Sequence, residues 1–264
     1  MKASFAQTSN VSASTLRVVV DTTLGAFTVE LDRAAAPETV RRFLARSYDG
    51  LQLCEARAHG YLVFGCAPFR LDGPKGDAPH RESPLLEEID GIAMGLDRQP
   101  IDVPQPIEWL WQQEVFPLYL QLRDKGRPIP AGLETLIEAA RTKGTAAIEQ
   151  LKGKSRLWYL TQLGHRFTEG RSAARFSRGA VGVAAFWPGA GDERFVIALT
   201  DLPERDGRAT VFGRIVDGWD TLDRIEMLPV DKSHRTLTAV FLNAVRIEGS
   251  APGEGSGSNK EPTR

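Results

Sequence analysis

The chain is poor in the residues that build most dedicated chemical sites. Its 264 residues include two cysteines, Cys54 and Cys66, and four scattered histidines, His59, His80, His165 and His234. Two thiols cannot staple a disulfide scaffold, and neither residue type has the spacing of zinc ligands. No metal or other cofactor is therefore expected, and the histidines are assigned surface or capping roles. The thiols read as small buried hydrophobes, with one bridge between them as the alternative if the protein is exported. A net charge of −1 supplies no basic stripe for nucleic acid. No apolar run reaches the ~20 residues that span a bilayer, so no membrane partner is expected. Residues 1–16 are polar and lack an apolar core, which points to the cytoplasm. A clipped exported form ending near Ala3-Ser4-Phe5-Ala6-Gln7 is the alternative. Gly73-Pro74-Lys75-Gly76 lacks the flanking strand and helix of a phosphate loop and reads as a surface turn.

What is present is ordinary globular material, 42% hydrophobic and 25% charged residues, long enough to bury a core alone. Residues 1–15 read as a disordered arm and 249–264 as a flexible Gly/Ser tail. Arg17–Thr22 and Ala26–Leu31 alternate as a strand pair joined at Thr23-Leu24-Gly25. A helix opens at Pro37 with Val40, Phe43 and Leu44 on one face, and Tyr48-Asp49-Gly50 ends it. Residues 92–174 are helical by pattern. Ile107, Leu110, Trp111, Val115, Leu118, Tyr119 and Leu122 keep helical spacing, with a kink due at Pro117. Leu133, Leu136, Ile137 and Ala140 form a second helix closed near Gly144. Ile148 and Leu151 mark a third, and Leu157–Phe167 a fourth. Strands return with Arg178–Ala184, Arg194–Leu199 and the segment from Asp206, then a short helix over Thr221–Glu226 and a closing strand over Thr238–Glu248.

The stretch Asp206-Gly207-Arg208-Ala209-Thr210-Val211-Phe212-Gly213-Arg214-Ile215-Val216-Asp217-Gly218 resembles the "DGKHTVFGRVVEG" segment of the cyclophilins, the peptidyl-prolyl cis-trans isomerase family. The order hairpin, "AAPETVRRFL", "YDGL" and the Arg178-Gly179-Ala180-Val181-Gly182-Val183-Ala184 strand is similar to the same family. The resemblance covers roughly 17–90 and 175–248. It implies a mainly β fold with helices: a closed antiparallel β-barrel capped by helices, in parts 16–91 and 175–248, with residues 92–174 as a helical insertion. It implies binding of proline-containing polypeptide segments, and a monomer is expected.

Turning a prolyl bond means breaking amide resonance, a barrier of ~18–20 kcal/mol. It needs an apolar pocket and a donor aimed at the prolyl nitrogen, not a nucleophile. In the family the donor is an arginine in the strand after "YDG". Here that position holds Glu55 counted from Tyr48-Asp49-Gly50, or Ala56 counted back from Gly60-Tyr61-Leu62, because one extra residue lies between the anchors. Neither donates, and losing one preorganised donor typically costs ~10²–10³ in rate. Phe64 and Arg194 stand at glutamine positions, Val196 at the pocket phenylalanine, Arg205 at the pocket leucine and Ala209 at the histidine. The substrate-binding candidates carried over are Tyr61, Leu62, Phe64, Ala184, Phe195 and Val196. Arg57, two residues from Glu55 and so on the same strand face, is the candidate replacement donor; a solvent-facing or salt-bridged arginine is the plainer alternative. Weak or absent catalysis is expected. A non-catalytic scaffold using the insertion is the second reading, with Trp109, Trp111 and Trp158 as packing residues or as a partner surface. Glu87-Glu88 reads as a solvated acidic pair.

Overall fold

The computed structural model describes residues 15–68, 85–101, 106–149, 151–185, 187–189, 191 and 194–249. The turn expected at Gly73–Gly76, His80 and nearly all of both terminal arms lie outside the described residues. β1 (Thr15–Thr22) and β2 (Gly25–Asp32) form the expected hairpin. Its alternate residues Val18, Val20, Phe27, Val29 and Leu31 are buried, as a period of two demands of a strand with one core face. α1 (Pro37–Ala45) starts at its proline and buries Thr39, Val40 and Phe43.

Ala36, before that helix, offers no side-chain cap. The cap comes from Glu88 instead, whose carboxylate accepts the backbone N–H groups of Glu38 at 3.1 Å and Thr39 at 2.8 Å. Glu87 accepts the Arg166 N–H at 2.7 Å, and its other oxygen lies 2.7 Å from His165 Nδ1. The reading of Glu87-Glu88 as solvated is thus overturned, and so is a surface role for His165, which is buried. Orphan amides and the positive end of the helix dipole draw carboxylates out of solvent.

The span after Tyr48-Asp49-Gly50 is a hairpin of β3 (Gln52–Arg57) and β4 (Tyr61–Cys66). The chain reverses at Ala58-His59-Gly60, where His59 takes φ of 55° and the Gly60 N–H donates to Arg57 O. Leu53 pairs with Phe64 and Glu55 with Val63, so Cys54 is the extra residue of a β-bulge. Cys66 lies opposite Gln52, and a disulfide joins it to Cys54 with their Cα atoms 5.5 Å apart. The two thiols are therefore bridged rather than separate small hydrophobes; the bulge brings Cys54 within reach of the neighbouring strand. Alkylation of the unfolded, unreduced chain is expected to leave its mass unchanged, with both cysteines modified only after reduction. Alkylation without reductant would disprove the bridge.

β5 (Ala180–Val183), β6 (Phe195–Ala198), β7 (Val211–Asp217) and β8 (Leu242–Ile247) complete a sheet ordered β3-β4-β6-β5-β7-β2-β1-β8. The closing strand is shorter than the expected Thr238–Glu248, and Phe241 makes a single bridge to Gln52. The Leu53 N–H donates to Val240 O and the Leu242 N–H to Leu51 O, which curls the sheet round until its last strand meets its first. α7 (Trp219–Glu226) packs on β2 after Gly218, whose φ is 83° and where an added Cβ would lie 2.4 Å from Phe27 Cα. Only glycine fits that turn.

Between β4 and β5 run α2 (Ile107–Leu110), α3 (Phe116–Asp124), α4 (Ala131–Lys143), α5 (Thr145–Glu149) and α6 (Arg156–Leu163). The kink expected at Pro117 is a π-helical turn over Trp111–Val115. Proline cannot donate to the carbonyl four residues back and its ring crowds it, so the helix widens just before it. Ser155 caps α6 by accepting the Trp158 N–H, and Gly164 ends it at φ of 103°. These helices bury Leu110, Leu118, Leu133, Ile137, Leu160 and Leu163 in a cluster of their own. Trp111 and Trp158 pack against it, whereas Trp109 is exposed. Among the described residues no helix is long and apolar enough to cross a membrane.

Candidate functional site

Directly paired residues share a sheet face, so the register assigns each paired candidate a side. Leu62 pairs with Ile197, and Phe64 with Phe195 and through it Val183; these point into the barrel. There Phe195 stacks on Phe64 at 5.4 Å between ring centroids and meets Phe43 and Tyr48 edge-on. Tyr61 pairs with Ala198, and Val63 with Val196 and Gly182, on the opposite face. The six carried-over binding residues therefore do not form one surface. Leu62, Phe64 and Phe195 belong to the barrel interior, and Tyr61 and Val196 to the outer side of the sheet.

The bulge at Cys54 puts the two residues at the donor position, Glu55 and Ala56, on opposite faces of the sheet. Ala56 pairs with Leu62, faces inward and is buried. Glu55 and Arg57 share the Tyr61 side. Glu55 Oε1 accepts Arg57 Nε–H at 2.5 Å and the Tyr61 hydroxyl at 3.1 Å. The Arg57 guanidinium lies 5.5 Å from the Tyr61 ring centroid with its side chain 47% exposed. Arg57 thus stands beside Tyr61 and is tied to the carboxylate next to it. Its hydrogen bond to Glu55 raises its pKa above the ordinary value, while burial, then the Glu55 charge, pushes the Tyr61 phenol up.

A second guanidinium lies closer. Arg205, at the end of a 3-10 turn over Pro203–Arg205, places its Cζ 4.3 Å from the Tyr61 centroid. It is 7% exposed, and that burial lowers its pKa. Gly182 leaves room for the Phe176 ring; a Cβ there would lie 2.5 Å from Phe176 Cζ. Tyr61 is 8% exposed, Ala184 2% and Val196 0%. The outer face is thus covered by Phe176 and Arg205, residues whose apolar or stacking contacts replace an open floor.

The helical segment holds this cover in place. Arg156 Nη2 donates to the carbonyls of Pro203 at 2.8 Å, Glu204 at 2.9 Å and Asp206 at 3.1 Å. Glu114 on the π-helical turn accepts Arg208 at 2.5 Å and the Tyr159 hydroxyl at 2.9 Å. Asp206 accepts the Phe176 N–H at 2.9 Å and Arg175 at 2.8 Å. Sequence reading missed Arg156, Phe176 and the role of Arg205. The one available signal was an arginine where the resemblance calls for leucine. A separate groove of ≈ 590 Å³ runs between Leu86 and Phe167, over His165. Among the described residues no group of three or more His, Cys, Asp or Glu could hold a metal ion.

The arrangement is that of a curled antiparallel sheet with an aromatic-floored outer face. A family model for the cyclophilin type peptidyl-prolyl cis-trans isomerase/CLD domain matches residues 135–247. Peptidyl-prolyl cis-trans isomerase-like 3 of Rhizopus delemar is 36% identical over 102 residues, covering 38% of this chain and 57% of that protein. The Homo sapiens protein of the same name is 36% identical over 74 residues, 28% of this chain and 46% of its own. The chain thus spans about half the length of the curated relatives it matches. A Cryptosporidium parvum cyclophilin type peptidyl-prolyl cis-trans isomerase superposes with a TM-score of 0.51 at 16% identity, covering 90% of this chain and 99% of that one. The same Cryptosporidium protein, crystallised in the presence of the dipeptide Ala-Pro, superposes with a TM-score of 0.50. The chain thus has the cyclophilin fold, and residues 135–247 match the cyclophilin type peptidyl-prolyl cis-trans isomerase domain.

Proposed function

We propose that this protein is a cyclophilin-type domain that engages Xaa-Pro segments of polypeptides with weak or no isomerase turnover. The observation that carries this reading is Glu55. On the strand face beside Tyr61, where the family places its donor, stands a carboxylate already bonded to Arg57 and to the Tyr61 hydroxyl. A carboxylate repels the lone pair that develops on the prolyl nitrogen. Arg57 cannot turn to that nitrogen without giving up a charge-assisted bond, one of the stronger kinds. Binding of proline segments draws support from the family-model match and from the structural neighbour crystallised in the presence of Ala-Pro.

The reading divides the chain into a barrel of residues 16–91 and 175–248, with 92–174 as an insertion. A protein partner at the insertion is the second reading, favoured by the exposure of Trp109 at 43% and Phe116 at 46%, since aromatic anchors are common hot spots. Disulfides persist where the surroundings are oxidising, so the Cys54–Cys66 bridge favours the exported alternative over the cytoplasm.

Exchange NMR on a short Xaa-Pro peptide tests the main reading. The protein is expected to shift peptide resonances while accelerating cis/trans exchange at least ~10²-fold less than an active cyclophilin at equal concentration, the cost of one lost donor. The Arg57→Ala variant should behave as the wild type. Full-rate catalysis that Arg57→Ala abolishes would sink the reading and make Arg57 the donor.

A further inference from the structure

We infer that Arg205 is a built-in occupant of the prolyl pocket, a residue that decides whether this face admits a proline ring at all. The inference rests on the proline-binding reading above and concerns how that site is gated. By the family resemblance, the pocket has Tyr61 on its floor with Val196 and Arg205 on its walls. A wall residue of leucine size would stop short of the floor. Arginine reaches across, and its Cζ lies 4.3 Å from the centre of the Tyr61 ring. A prolyl ring between them would need an apolar contact of about 3.5–4 Å on each side, or roughly 7–8 Å in all. The existing gap accommodates one such contact. Guanidinium and proline are therefore mutually exclusive over Tyr61.

The occupant is also held from behind. The turn that presents it is bound by Arg156 through three carbonyls and by Glu114 through Arg208. Gly207 lies where a Cβ would meet Leu96 at 2.5 Å and Leu160 at 2.9 Å, so no side chain separates the turn from the helices. The Arg205 N–H donates to Leu202 O, and the Leu202 N–H to Phe176 O. Backbone movement of the turn is thus opposed on both flanks, and the pocket opens by rotation of the Arg205 side chain. On one side of that side chain lies Tyr61.

The test is a ¹H–¹⁵N NMR titration of the full chain, wild type and Arg205→Leu, with cyclopentane and with a tetrapeptide carrying a central Ala-Pro bond. Cyclopentane probes the vacated volume and the peptide probes proline recognition. Arg205→Leu is expected to bind cyclopentane with shifts at Tyr61 and Val196 and to bind the peptide about tenfold more tightly than wild type. That factor corresponds to a site competent about one-tenth of the time. Uptake of cyclopentane without peptide binding would keep Arg205 as the occupant and discard the proline-binding reading. Equal peptide binding at Tyr61 in both proteins would do the reverse. No gain for either probe in a folded variant overturns the inference. Should Arg205→Leu fail to fold, the wild-type Arg205 Nε–H resonance decides. It is expected upfield of its random-coil position under the Tyr61 ring current. A random-coil position in the free protein, or no movement at peptide saturation, overturns the inference as well.

Discussion

Phe195→Ala is expected to lower the free energy of unfolding by about 3–5 kcal/mol, the range for truncating a buried phenylalanine. Its ring lies 5.4 Å from Phe43 edge-on, 5.8 Å from Tyr48 edge-on and 5.4 Å from Phe64 in a stack. It thus joins β4, β6 and α1 at one point. Neighbours fixed in strands on one side and a helix on the other cannot collapse into the space, so the loss includes the cavity as well as the transfer of the ring. Urea denaturation should show a lower midpoint at unchanged slope. Phe195→Leu, which keeps most of the volume, should cost less than half as much. A loss below about 1 kcal/mol for the alanine variant would mean that this ring does not tie the elements together.

Arg156→Ala is the second large effect, and it separates stability from gating. One guanidinium nitrogen serves the carbonyls of Pro203, Glu204 and Asp206, and burial lowers the pKa of the group. Hydrogen bonds to a charged donor contribute about 1.5–3 kcal/mol, and three sharing one nitrogen do not add. A global loss of about 2–3 kcal/mol is therefore expected. Locally, the Arg205 and Arg208 N–H groups, which close the turn onto Leu202 and Arg205 carbonyls, should exchange about 10–100-fold faster than in wild type. Hydrogen exchange read residue by residue checks this. Unchanged protection at both amides would mean that the turn holds its own shape and the helices merely lean on it.

The elements were largely legible in the sequence because their signals are local. Alternation placed β1 and β2, Pro37 opened α1 and Gly144 closed α4 at positive φ, whereas the helix expected over Leu157–Phe167 stops at Leu163 because Gly164 turns left-handed. The hairpin at Ala58-His59-Gly60 was not legible, because His59 is an unusual choice for a left-handed position. The π-helical turn before Pro117 was legible only as a kink. The two counts of the donor position, Glu55 and Ala56, were irreconcilable by spacing, since a bulge hides a residue from any count along the chain. One residue of slip turns every side chain to the other face, which is why Ala56 points inward and Glu55 beside Tyr61.

By itself the sequence determined the cyclophilin resemblance and most of the sheet's elements, because motifs and periodicities are written over a few adjacent residues. Only the tertiary structure decided that Glu88 caps a helix far upstream, that Cys54 reaches Cys66, and that Arg205 lies on Tyr61 under a turn held by Arg156. Each of these joins residues distant in the chain or displaced by a bulge. A side chain's partner across such a separation follows from how the sheet closes and which face the register turns outward, and neither is encoded in the spacing around it.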